Sequence, residues 1–170
     1  MNLKEYFKFN EVDVFLKQNR DFPALDNIEI PDYIILFEAD YSQTMEDSQY
    51  ILTQQQYDQY AAKWTQVNDW FTSVRAKNKY ALESIQTGMD EIMNRERDKA
   101  PRQHCGSLKA KERWVEATNA DYQFLKKILP TALSYFEAIE GKIKSIDRKH
   151  YNCKHMSRSF DVEKGIGGYN

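Results

Sequence analysis

Seven basic residues stand within the nineteen positions from Arg95 to Arg113: Arg95, Arg97, Lys99, Arg102, Lys109, Lys111 and Arg113. Only Glu96, Asp98 and Glu112 oppose them, with His104 in between. Pro101 and the pair Gly106-Ser107 interrupt the stretch, so it reads as a connection between two helices. Cations gathered at such a turn add their fields, and a phosphate backbone that touches them releases condensed counterions. A merely solvated connection has the same composition, and the residues leave both readings open. A second basic group, Lys142, Lys144, Arg148, Lys149, Lys154 and Arg158, faces Asp147 alone and carries the same two readings.

Rings interleave with charge in Trp64, Trp70, Phe71, Lys77, Lys79 and Tyr80, an arrangement on which bases of a single strand can stack. Trp64 and Phe71 fall on an apolar seam and read as core; Trp70 and Tyr80 lie off it. His150, Cys153 and His155, with His104-Cys105 elsewhere, are metal-ligating types, but their spacing is not that of structural zinc pairs, and no metal or other cofactor is expected. No phosphate-cradling glycine loop is present, and Gly165-Ile166-Gly167-Gly168 has no helix after it. With no nucleophile–base order and no paired carboxylates, the chain reads as non-catalytic.

Two long seams must position these groups. Tyr57, Tyr60, Trp64, Val67, Phe71, Val74, Asn78, Ala81, Ile85, Gly88 and Ile92 recur in steps of three and four. So do Val115, Thr118, Tyr122, Leu125, Leu129, Ala132, Phe136, Ile139, Ile143, Ile146, His150 and Cys153. Each is the stripe a helix shows to a partner helix, and together they predict an all-α chain built on a long antiparallel helical hairpin.

Ser42 or Thr44, followed by Glu46 and Asp47, is the expected start of the first helix, and Gly88 is the one residue before Arg97 that disfavours helix. Ser107 is the expected cap of the second, and Pro130 is expected to kink it without dividing it. Residues 1–20 suggest a short amphipathic helix with a possible cap at Asn10. Residues 24–40, with Pro23, Pro31 and the run Tyr33-Ile34-Ile35-Leu36-Phe37, fit either an extended arm or a short helix begun by Pro31. The division is an N-terminal arm over 1–41, a hairpin domain over 42–164 and a tail over 165–170.

The balance of the 170 residues agrees with exposed helices around one core: 41% are apolar, 14% aromatic and 29% charged, and mean hydropathy is −0.78. No run is apolar enough to span a membrane and no signal peptide is evident, so a cytoplasmic location is expected, with Cys105 and Cys153 as reduced thiols. Charge is split along the chain. Residues 1–60 hold 12 acidic against 4 basic side chains, and the remainder 14 acidic against 20 basic. That polarity suits a basic part that meets a polyanion, or two halves that attract each other. Trp70, Leu82, Met89, Trp114 and Leu133 lie off the seams, so a lone hairpin would leave them bare. A homo-oligomer larger than a dimer is expected, with Leu133, Phe136, Ile139, Ile143 and Ile146 as its assembling face.

The segment from Leu133 to Arg148, Leu-Ser-Tyr-Phe-Glu-Ala-Ile-Glu-Gly-Lys-Ile-Lys-Ser-Ile-Asp-Arg, continued by Lys149-His-Tyr-Asn-Cys-Lys-His-Met, resembles the C-terminal helix of the UvsY family of phage recombination mediators. Tyr60-Ala-Ala-Lys63-Trp64 and Lys79-Tyr80-Ala81-Leu82 are similar to that family's first long helix. The resemblance, over about residues 42–165, implies a helical homo-oligomer that binds single-stranded DNA. It also implies that the protein helps a RecA-like recombinase replace the single-strand-binding protein. The family's basic pair after Ala-Leu has no counterpart here, because Glu83-Ser84-Ile85 follows Ala81-Leu82. The DNA-binding charge would then lie in Arg75, Lys77, Lys79 and the Arg95–Arg113 group.

Overall fold

The computed structural model describes residues 1–7, 28–47, 52–104 and 106–166, with side chains, apart from that of Lys4, to Phe160. The remainder of the helix expected over residues 1–20, the Asn10 cap, Cys105 and residues 167–170 lie outside the described residues. The regular elements described are helical, so the chain is all-α; the only β pairing among the described residues is an isolated bridge between Asn2 and Glu29. No described helix is long and apolar enough to cross a membrane.

Helix α1, Leu3–Phe7, is opened by Asn2, whose Oδ1 accepts the Glu5 N–H at 2.9 Å while Glu5 Oε2 accepts the Asn2 N–H at 3.1 Å. Pro31, with φ −57° and ψ 137°, then starts α2, Asp32–Glu46. Ile34, Phe37 and Tyr41 are its buried stripe, so over residues 32–40 the chain takes the helix begun by Pro31; residues 24–27 lie outside the described residues. Ser42 and Thr44 lie inside α2 and cap nothing; the helix also runs without a break across the expected boundary at residue 41.

Helix α3, Gln54–Glu96, begins at Thr53, not at Ser42 or Thr44. Thr53 Oγ1 accepts from Gln56 N at 3.3 Å and Gln56 Oε1 accepts from Thr53 N at 2.8 Å, so two donors that the first turn would leave open are satisfied reciprocally. Gly88 does not interrupt α3. It lets α5 approach closely, since a Cβ there would stand 3.2 Å from Leu125 Cδ1. Two 3₁₀ turns follow, Arg97–Lys99 and Arg102–His104. Helix α4, Leu108–Thr118, is capped by Ser107, whose hydroxyl accepts the Ala110 N–H at 3.1 Å.

The second long helix is divided, and the division is at Asn119. Its backbone (φ −87°, ψ 113°) leaves the helical region. Its N–H bonds Val115 O at 2.9 Å, closing α4, and its Oδ1 accepts Tyr122 N–H at 2.9 Å, opening α5, Ala120–Ile166. Pro130 sits on the solvent side of α5 and the helix continues through it, because water can satisfy the carbonyl that the ring deprives of a donor.

Helices α3 and α5 run side by side in opposite directions. Asp58 meets Ser157, Asn68 meets Asp147, Arg75 meets Glu140 and Gly88 meets Leu125, so numbers fall on one helix as they rise on the other. One core joins them to α1 and α2: Trp64, Phe71 and Ile85 of α3 pack with Ile128, Tyr135, Ile139 and Ile146 of α5 and with Leu3, Ile34 and Phe37. Burying so many large side chains, at about 1.5–3 kcal/mol each, is what holds α1 and α2 to the long pair.

Candidate nucleic-acid interface

The two 3₁₀ turns bring the start of α4 back beside the end of α3, as the contact of Lys111 Nζ with Asp98 Oδ1 at 3.2 Å shows. Glu96 Oε1 lies 2.8 Å from Arg95 Nε and 3.0 Å from Lys99 Nζ. Those two hydrogen bonds hold the Glu96 carboxyl below its ordinary pKa. One carboxylate, Glu96, is thus shared by Arg95 and Lys99, and Asp98 pairs with Lys111. Arg97, Arg102, Lys109 and Arg113 have no carboxylate partner among the described residues, and the last three are exposed. The tip therefore carries unneutralised positive charge at one end of the molecule, held by helix ends and tight turns.

Arg75, Lys77 and Lys79 do not join this group. They stand on α3 at least about 24 Å from Arg95 at 1.5 Å per residue. Arg75 is half-buried and bound across to Glu140 at 3.1 Å; Lys79 pairs with Glu83 at 3.6 Å. Lys77 is exposed. Trp64 and Phe71 are wholly inside the core, Trp70 is half-buried with its ring edge-on to Phe71 at 4.8 Å, and Tyr80 is 63% exposed.

The second basic group is split by the fold. Lys142 Nζ is 2.6 Å from Glu38 Oε1 and 4.8 Å from the Tyr6 ring centre. Lys149 lies over Trp64 at 4.7 Å, and burial, with Lys142 nearby, lowers its pKa below the ordinary lysine value. Lys144, Arg148, Lys154 and Arg158 remain exposed. These inward roles were not legible, because Glu38 and Tyr6 are remote in sequence and carry no local signal.

Cys153 is buried, its thiol near the Tyr41 hydroxyl at 3.8 Å, and burial raises its pKa. His155 is exposed and stacks loosely with Tyr151. His150, Cys153 and His155 therefore do not converge, and no three potential ligands cluster among the described residues.

The face expected to assemble is largely internal. Ile139, Ile143 and Ile146 are buried against the chain's own core, Phe136 is half-buried, and Leu133 alone is exposed, at 39%. Of the residues expected to be bare, Leu82 is part of the core, Trp70 and Met89 are half-buried against it, and Trp114 is half-buried on α4.

Comparison with known protein families, with curated proteins and with solved structures returns no match.

Proposed function

We propose that this chain is a non-catalytic single-stranded DNA-binding protein of the recombination-mediator type, in which an antiparallel hairpin presents its basic tip to the strand. The observation that carries the reading is the set Arg97, Arg102, Lys109 and Arg113, which have no carboxylate partner among the described residues, while Glu96 and Asp98 are already engaged by Arg95, Lys99 and Lys111. Self-association through Leu133 and the open edge of Phe136 would line up several tips on one strand, and a RecA-like recombinase and a single-strand-binding protein would be its partners there. The likeness to the UvsY family supports this role. Gel shifts with a labelled single strand and its duplex, repeated at rising salt, test it. Preferential single-strand binding that weakens steeply with salt is expected, and salt-independent binding or none would overturn it.

A helical adaptor or structural protein is the second reading. A groove of about 540 Å³ between α2 and α3, lined by Tyr33, Leu36, Phe37, Asp40, Lys63, Gln66 and Val67, favours it, since Leu36 is 69% exposed there.

A further inference from the structure

On the C-terminal half of α5, Lys144, Arg148, Tyr151, His155 and Arg158 recur in steps of four and three. At 100° per residue they fall within an arc of about 80°, opposite the face that buries Ile139, Ile146 and Cys153. All five are exposed or half-exposed at the surface of α5. From residue 142 to residue 158 the one carboxylate is Asp147, and Asn68 Nδ2 already donates to it. Glu137 and Glu140 bound the stripe at its N-terminal side, and Arg75 already holds Glu140 at 3.1 Å. Tyr151 is 67% exposed, its ring tilted 33° from that of His155 at 6.3 Å between centres. A bare tyrosine flanked by cations along about 21 Å of rigid helix matches a phosphodiester chain with a base to stack.

We propose that this outer stripe is a second binding site for single-stranded nucleic acid: Lys144, Arg148 and Arg158 contact phosphates and Tyr151 stacks on a base. The proposal rests on the nucleic-acid reading above and adds a site of different chemistry, with Tyr151 about 38 Å along α5 from Lys126, whose Nζ pairs with Glu116 of α4 at 2.9 Å. The tip offers charge alone and holds a strand through its phosphates. The stripe adds a ring, and a ring favours unpaired bases.

The test is fluorescence anisotropy on the full chain with a labelled oligo-dT and with a duplex of equal length. Tyr151→Ala should weaken the single strand about tenfold and leave its salt slope and duplex binding unchanged, while Tyr151→Phe keeps wild-type affinity. Lys144→Gln with Arg148→Gln should reduce the slope of log affinity against log salt by about 1.4. Arg97→Gln with Arg102→Gln reports the tip in parallel. If the tip pair weakens binding and the stripe variants do not, the stripe is overturned and the tip stands; if wild type binds no strand, both fall. Equal loss on duplex, or a mass change by light scattering in the stripe variants, would mark the face as something other than a base-stacking site and overturn it.

Discussion

Lys142 of α5 and Glu38 of α2 form an ion pair at 2.6 Å with less than a fifth of either side chain exposed, and the Tyr6 hydroxyl donates to the other carboxylate oxygen. Three helices distant in sequence are thereby fixed by one carboxylate. Removing one member leaves a half-buried charge without its partner, so Lys142→Met should lower unfolding free energy by about 3 kcal/mol. Glu38→Gln combined with Lys142→Met should cost less than Lys142→Met alone. Urea titrations of the single and double variants check this, and a double variant as damaged as the sum of its parts would show that the two side chains act independently.

The same contact gives a pH dependence. Burial first, and then the bond to Glu38, raise the Tyr6 pKa well above the ordinary 10.0. Tyr41 is raised likewise, by burial and then by Cys153. An acid whose folded pKa exceeds its unfolded value stabilises the fold below the unfolded pKa and loses that contribution as pH climbs past it. Stability should therefore fall from about pH 10 upward, by as much as about 1.4 kcal/mol per pH unit for each such group. Tyr6→Phe should be less stable at neutral pH and show a shallower alkaline decline. A decline of unchanged slope in that variant would mean that Tyr6 does not contribute to it.

Asn78 is wholly buried on the α3 seam, and neither its amide nitrogen nor its oxygen has a partner among the described residues. A buried amide without hydrogen bonds costs about 1–3 kcal/mol, and leucine has nearly its shape. Asn78→Leu is expected to raise the thermal midpoint. A lowered midpoint would point to a buried water that the amide binds.

How legible these elements were depended on distance along the chain. The α3 seam from Trp64 to Ile85 is buried at every position the spacing named. On α5 the spacing named Ile139, Ile143, Ile146 and Cys153 correctly, but toward its start Leu129 and Phe136 are only half-buried and Ile128 and Tyr135 take their places; on α4 Thr118 is exposed. A strict 3.5-residue step drifts against the 3.6-residue helix by about 20° per heptad, so two heptads slip the seam by nearly half a residue position. Val115 and Tyr122, on either side of the break at Asn119, are buried as the spacing required. The cations of the tip were visible as composition. Which of them Glu96 and Asp98 engage was not, because the contact of Lys111 with Asp98 exists only once the turns bring α4 back.

Pro130 offers a test of the continuous α5. Its side chain faces solvent and the helix passes through it, so alanine there restores a backbone hydrogen bond and removes the clash with the preceding turn. Pro130→Ala should gain at least about 1 kcal/mol and slightly raise far-ultraviolet helicity. A loss of stability would mean that proline at this position is required for the packing of α5 on α3.

The tip makes predictions of opposite sign. Glu96 accepts from both Arg95 and Lys99 and is held ionised by them, so it withholds two cations from any strand. Glu96→Gln removes that competing charge. It should tighten single-strand binding and steepen the salt slope by up to about 1.4, at about 0.7 for each further phosphate neutralised. Replacing Arg97, Arg102, Lys109 and Arg113 by glutamine should weaken binding and flatten the slope by up to about 2.8 on the same scale. Neither change touches the buried face of α3 or α5, so mass by light scattering and helicity should stay at wild-type values. Binding that responds in the same direction to both variants would mean that the effects travel through structure and that the tip's charge does not hold the strand.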